Sequence, residues 1–191
     1  MAKKLQQRVA DLSATMPTAV EVWAQDEARF GLKPTVRKVW APCGQRPRAP
    51  SQTRYEWLYV YGFVRPTTGH TYWLLLPTVN TAAMNVALVE FARDVGAGPD
   101  KRILLVLDHA GGHGSTALEV PAGLELVYLP PSTPELQPAE HLWPLLREVV
   151  ANRTFASLDP LEDTLVVRCL QLADQRDLVQ HTTNFHWLPA A

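Results

Sequence analysis

The chain has 191 residues, 47% of them hydrophobic, enough to bury the core of one domain built from a sheet and flanking helices. Its 18 Lys and Arg against 19 Asp and Glu leave a formal net charge of −1, so it is no polycation, and any attraction to phosphates must come from uneven placement of charge. The longest apolar runs, residues 103–107 and 72–76, are strand-length and too short to span a membrane; no apolar stretch follows the charged start at residues 1–8, so a cytoplasmic rather than a secreted chain is expected. Cys43 and Cys169 have neither CxxC nor metal-type spacing, which argues against a disulfide framework and a structural zinc site.

In chain order, residues 3–12 suit a short helix, and Ser13 to Thr18, with Pro17, reads as a connector. A first strand is expected over Val20 to Asp26, a second over Trp57 to Val64 and a third over Thr71 to Leu76. The last two form an antiparallel hairpin around the Pro- and Gly-bearing link 65–70. Thr81 to Val95 changes to helical spacing, capped by Asn80 or Thr81 and closed by Gly96 and Gly98. Arg102 to Leu107 is a continuous apolar strand, and Leu124 to Leu129 another. Pro138 to Asn152 and Leu158 to Ala173 have helical patterns. Pro144 falls inside the first of these and removes a hydrogen bond to the Glu140 carbonyl, so a kink is expected there. Residues 1–19 read as a linker or remnant, 20–176 as the folded domain and 177–191 as a tail. A meander followed by alternating helices and strands predicts an α/β fold.

Asp108 follows Ile-Leu-Leu-Val-Leu directly, and a carboxylate closing an apolar strand is costly unless it is paired or binds a metal. A turn cap is the competing explanation. Asp26 ends the first expected strand, and Glu140 lies at the start of a helix after a Pro-rich loop. Three carboxylates on separate elements suit phosphodiester chemistry, in which two divalent ions about 3.5 to 4 Å apart serve the attacking and leaving oxygens. Magnesium needs only a few carboxylates besides water and substrate phosphate.

Three blocks, Trp23-Ala-Gln-Asp-Glu-Ala-Arg-Phe-Gly31, Leu105-Val-Leu-Asp-His-Ala-Gly-Gly-His113 and Leu129 to Trp143, occur in that order and resemble the signature blocks of mariner-related bacterial insertion-sequence transposases. The resemblance covers residues 20 to about 175. It implies a ribonuclease H-like mixed five-stranded sheet flanked by helices, with Asp26, Asp108 and Glu140 as catalytic metal ligands for two Mg²⁺ ions, replaceable by Mn²⁺. The implied reaction is strand cleavage and strand transfer at transposon ends, at TA targets. The implied partners are double-stranded DNA and a second copy of the chain assembled on it. Glu140 is preferred to Glu135, because the family places its acid at the second position. Gly112, Ser132, Thr133 and Gln137 depart from the usual residues of these blocks, as does the 32-residue separation of Asp108 and Glu140.

The resemblance gives His113 a counterpart that could contact phosphate, against a packing histidine as the alternative. Glu27 should face away from Asp26 and act structurally or behind the ligands. Lys33, Arg37, Lys38, Arg46, Arg48 and Arg54 form a strip without an acid and are candidate DNA contacts. Trp57, Tyr59, Tyr61, Tyr72 and Trp73 should pack the sheet. Leu158, Leu161, Leu165, Val166, Cys169 and Leu172 make a core or dimer face. The 25 residues before Asp26 are too few for an amino-terminal helix-turn-helix region, so the chain reads as a catalytic part. Two other readings compete with an active transposase: a non-catalytic DNA-binding or dimerising remnant, and a nuclease that hydrolyses without joining.

Overall fold

The structure, a computed structural model, describes residues 2–15, 19–48, 50–108, 117–131 and 133–185. Helix α1 (Ala2–Thr15) precedes strands β1 (Ala19–Gly31), β2 (Trp57–Arg65) and β3 (His70–Leu76). Helix α2 (Thr81–Val95), strands β4 (Lys101–Leu107) and β5 (Leu124–Tyr128), and helices α3 (Leu142–Arg147), α4 (Leu158–Asp174) and α5 (Arg176–Thr183) follow. The described strands make one five-stranded sheet in the order β3-β2-β1-β4-β5. β3, β2 and β1 are antiparallel neighbours, whereas β4 runs parallel to both β1 and β5. Helix α2 supplies the crossover that a parallel β4 requires after the meander.

Local chemistry explains most of these limits. The Asn80 side chain accepts the Ala83 N–H at 2.8 Å and starts α2, and Gly96 at φ 70° ends it in the left-handed region that glycine tolerates. Helix α2 then covers one face of the sheet, where Phe91 stacks on Phe63 at 4.2 Å and meets Trp23 edge-on at 5.1 Å. The other face carries Val22, Ala24, Ala28, Phe30, Leu104 and Val106 against α3, α4 and α5. β4 is buried on both faces, which is why its sequence does not alternate.

Three expectations change. β1 runs to Gly31, five residues beyond Asp26, because β2 pairs with it from Ala24 to Gly31 after β4 has left it. The expected helix over 138–152 is instead a 3-10 turn, Pro138–His141, joined to a six-residue α3. Pro144 offers no N–H to the Glu140 carbonyl, so the kink becomes a change of helix type. Residues 177–183, read as the start of the tail, belong with Arg176 to helix α5, in which Val179 is buried.

Helix α4 buries Leu161, Leu165, Cys169 and Leu172, while Val166 faces outward. Burial pushes the Cys169 thiol up to about 12, whereas Cys43 is exposed. A thiol-reactive chromophore is therefore expected to label Cys43 at once in the native protein and Cys169 only after denaturation. Rapid native labelling at both positions would contradict this packing of α4.

Candidate active site

Alternation along β1 turns Asp26 to the same face as Ala24 and Ala28, under the helices that follow β5. It is 7% exposed. Its partner across β2 is Gly62, and the Trp143 indole Nε1–H donates to Asp26 Oδ2 at 2.7 Å. Gly62 makes that contact sterically possible. A Cβ there would lie 2.9 Å from a Trp143 ring carbon and 3.0 Å from the Trp73 ring. Three residues distant in sequence, Gly62, Trp73 and Trp143, thus form the wall beside one carboxylate.

Asp108 directly follows β4 and is half-buried. In the parallel pairing of β1 and β4, Ala24 lies opposite Val106. Asp26 and Asp108 each lie two residues beyond this pair, Asp26 within β1 and Asp108 just after the end of β4. Glu140 arrives from above that face. Pro138 begins its 3-10 turn, and the buried Gln137 side chain donates from Nε2 to the Gln25 carbonyl at 2.9 Å, tying the turn to β1 next to Asp26.

Burial pushes the Asp26 carboxyl up to about 7, against the opposing pull of the Trp143 N–H; the negative charges of Glu140 and Glu27 push it the same way as burial. Glu140 is therefore within electrostatic reach of Asp26. Glu135 and Glu140 are both exposed, but Glu135 stands in a separate turn, Pro134–Leu136, and is not among the groups that act on Asp26. Glu27 points to the opposite face, where it helps burial to raise the Tyr61 hydroxyl. His113 lies outside the described residues.

Among the described residues, no three His, Cys, Asp or Glu side chains are drawn together into a metal-holding group. Glu140, exposed on its 3-10 turn, acts on Asp26 through its charge, and Asp108 stands just after the adjoining strand β4. This donor set is all oxygen, and the charged groups acting on the buried Asp26 are themselves carboxylates. A hard divalent cation fits both features, supplying the missing positive charge to ligands of the right chemistry.

The cationic strip is mostly exposed. Arg37, Lys38, Arg46 and Arg48 lie in the segment joining β1 to β2, whereas Arg54 pairs with Glu56 at 2.6 Å, an acid just beyond the strip. Asn152, at φ 57°, anchors this segment: its side chain accepts the Arg37 N–H at 2.9 Å and donates to the Arg37 carbonyl at 3.0 Å. Tyr59, Tyr61, Tyr72 and Trp73 pack against the sheet's cores as expected. Trp57 is 41% exposed, because it lies at the open end of β2 where the flanking segment departs.

Sequence reasoning assigned no role to Trp143, Gln137, Gln25 or Gly62. Trp143 and Gln137 stand within three residues of Glu140 in the third block, and Gln25 adjoins Asp26. Gly62, in contrast, is marked by nothing except being a glycine inside a strand.

The chain is 37% identical over 120 residues to an uncharacterized protein, y4pE/y4sA, of Sinorhizobium fredii (strain NBRC 101917 / NGR234), covering 62% of this chain and 87% of that one. In fold it is similar to the Mos1 mariner paired end complex with Mn, at TM-score 0.58 and 18% identity over 96% of this chain and 61% of that chain. The catalytic domain of Mos1 mariner transposase matches at TM-score 0.55 and 15% identity, over 97% and 92% respectively. The chain thus spans about three fifths of the transposase chain in the paired-end complex, and the shared architecture is the ribonuclease H-like mixed sheet flanked by helices. Residues 21–162, which include Asp26, Asp108 and Glu140, match the family described as DDE superfamily endonuclease, and the chain belongs to that family.

Proposed function

We propose that the chain is the catalytic part of a DNA transposase, cleaving double-stranded DNA at transposon ends and joining the freed ends to target DNA at TA sites. Asp26, Asp108 and Glu140 are the ligands of two Mg²⁺ ions in this reading, with Mn²⁺ as a substitute. The observation that carries it is buried Asp26, held at raised pKa by burial and by the charge of Glu140, beside the strand that Asp108 follows. Membership of the endonuclease family supports the reaction class. When bound, the ions supply Lewis-acid stabilisation and an activated oxygen nucleophile.

The chain's own residues arrange the ligands. Trp143 fixes one oxygen of Asp26, Gln137 ties the Glu140 turn to β1, and β4, paired in parallel with β1, leads into Asp108. The exposed cations Lys33, Arg37, Lys38, Arg46 and Arg48 offer phosphate contacts that position DNA without reading its sequence. A second copy, assembled on the paired ends, completes the reaction.

Nicking of supercoiled plasmid with Mg²⁺ or Mn²⁺ tests the ligand assignment. Asp108→Ala and Glu140→Gln are expected to lower the rate about a hundredfold to a thousandfold, the scale expected when a principal transition-state charge stabiliser is removed. Glu135→Gln should retain wild-type rate; loss there with retention in Glu140→Gln would reassign the third ligand. Joining of a duplex with a free 3′ hydroxyl to plasmid, with sequenced junctions, distinguishes transposition from hydrolysis alone.

A further inference from the structure

Five residues along β1 from Asp26, the sheet opens into a second site. We propose that this cleft binds an unpaired nucleotide of a DNA strand, a role that rests on the nuclease reading for its biological use and on its own geometry for its chemistry. It encloses about 410 Å³ between the end of β1, the start of β2 and the segment after α3. Its lining includes Phe30, Val150 and Leu161 as an apolar floor, and four cations against one acid, Glu56.

Cations lie beside rings at this end of the sheet. The Arg29 guanidinium lies 5.4 Å from the Trp57 ring centroid, the Lys33 ammonium 5.9 Å from Tyr55, and the Arg153 guanidinium 5.2 Å from Phe155. Tyr55 is 74% exposed, so its ring remains open to an incoming planar group, whereas Trp57 and Arg29 project from the opposite face of β1 and β2 to Phe30. Arg54 is engaged by Glu56, but Arg29, Lys33 and Arg153 make no ion pair among the described residues and can meet an anion.

Each part excludes simpler occupants. A phosphate alone would use the cations and leave the rings and apolar floor in water. A base within a duplex keeps its faces stacked on its neighbours and cannot stack here. An unpaired nucleotide uses all three features: a π face for the Tyr55 ring, an apolar edge for the floor and a phosphate for the cations. The location also fits. From Asp26 to Gly31 an extended strand covers about 17 Å, so a DNA strand with its reacting phosphate at Asp26 passes the cleft a few nucleotides away.

Fluorescence anisotropy in EDTA with the full chain tests the proposal without any metal step. The probes are a labelled blunt duplex and the same duplex carrying a single-stranded extension. The extension is expected to tighten binding about tenfold, and Tyr55→Ala to abolish that preference. Lys33→Ala should lessen the salt dependence of binding. A 2-aminopurine in the extension should be quenched on binding to the wild type, and unquenched in Tyr55→Ala, a change at an exposed side chain that leaves folding intact. Equal affinity for both probes, or a preference that survives in Tyr55→Ala, overturns the cleft assignment. Metal-dependent nicking of plasmid is measured separately: loss of nicking with the extension preference kept refutes the nuclease reading alone, and the reverse refutes the cleft alone.

Discussion

Replacing Asp26 with Asn is expected to abolish metal-dependent DNA cleavage while raising the thermal stability of the metal-free protein at pH 8. Both effects have the same origin. Asp26 is buried among the sheet-facing side chains, receives one indole N–H, and is repelled by Glu140 and Glu27. Its carboxyl is raised from 3.8 to about 7, so the folded state holds the proton more tightly than the unfolded chain. For a raised acid, the stabilisation belongs to the protonated form. It is fully present below the unfolded value near 4 and is lost as pH rises through about 7. A shift of this size corresponds to stability on the order of 4 kcal/mol between those limits.

At pH 8 the metal-free wild type therefore carries an ionised, poorly compensated carboxylate that Asn replaces without charge. Differential scanning fluorimetry in EDTA should show Asp26→Asn melting above wild type at pH 8 and near it at pH 5. Added Mn²⁺ should raise the melting temperature of the wild type at pH 8 and leave that of the variant unchanged. A variant that melts below wild type by the same margin at both pH values would show that Asp26 is a structural hydrogen-bond acceptor, not a site held ready for a cation.

The second large effect is expected at Trp143. Its indole N–H donates to Asp26 at 2.7 Å and its ring fills the space that Gly62 leaves open. Trp143→Phe keeps most of the apolar ring but removes the donor, so one oxygen of Asp26 loses its fixed direction. Hydrogen bonds to charged groups are worth about 1.5–3 kcal/mol, and partners of metal ligands typically change metal affinity about tenfold to a hundredfold. Mn²⁺ affinity, measured by electron paramagnetic resonance or calorimetry, is expected to fall by that factor. The pH at which activity rises should move upward, because the N–H pulls the Asp26 carboxyl down.

A purely structural tryptophan would lower the melting temperature without moving either quantity. Gly62→Ala should reproduce the loss of Mn²⁺ affinity from the opposite side, since the added methyl displaces the ring while leaving the N–H chemically present. If Gly62→Ala binds Mn²⁺ as the wild type does, the ring's placement is not what directs Asp26.

The sequence by itself determined what periodicity and ordered motifs can encode. The limits of α2 were legible because a side-chain cap and a left-handed glycine are local devices, and β4 because a strand buried on both faces has an unbroken apolar run. The three acid-bearing blocks were legible because their chemistry is written in contiguous residues. The tertiary structure decided what depends on partners remote in the chain. β1 runs through Asp26 to Gly31 because β2 pairs with it there, a non-local condition that no alternation within β1 could reveal. Trp143 reaches Asp26 across 117 positions, and Gly62 matters only through the ring that packs over it. The strip of cations was readable as charge, but its aromatic cleft was not, because Arg29, Tyr55 and Phe155 come together only when β1, β2 and the chain after α3 converge.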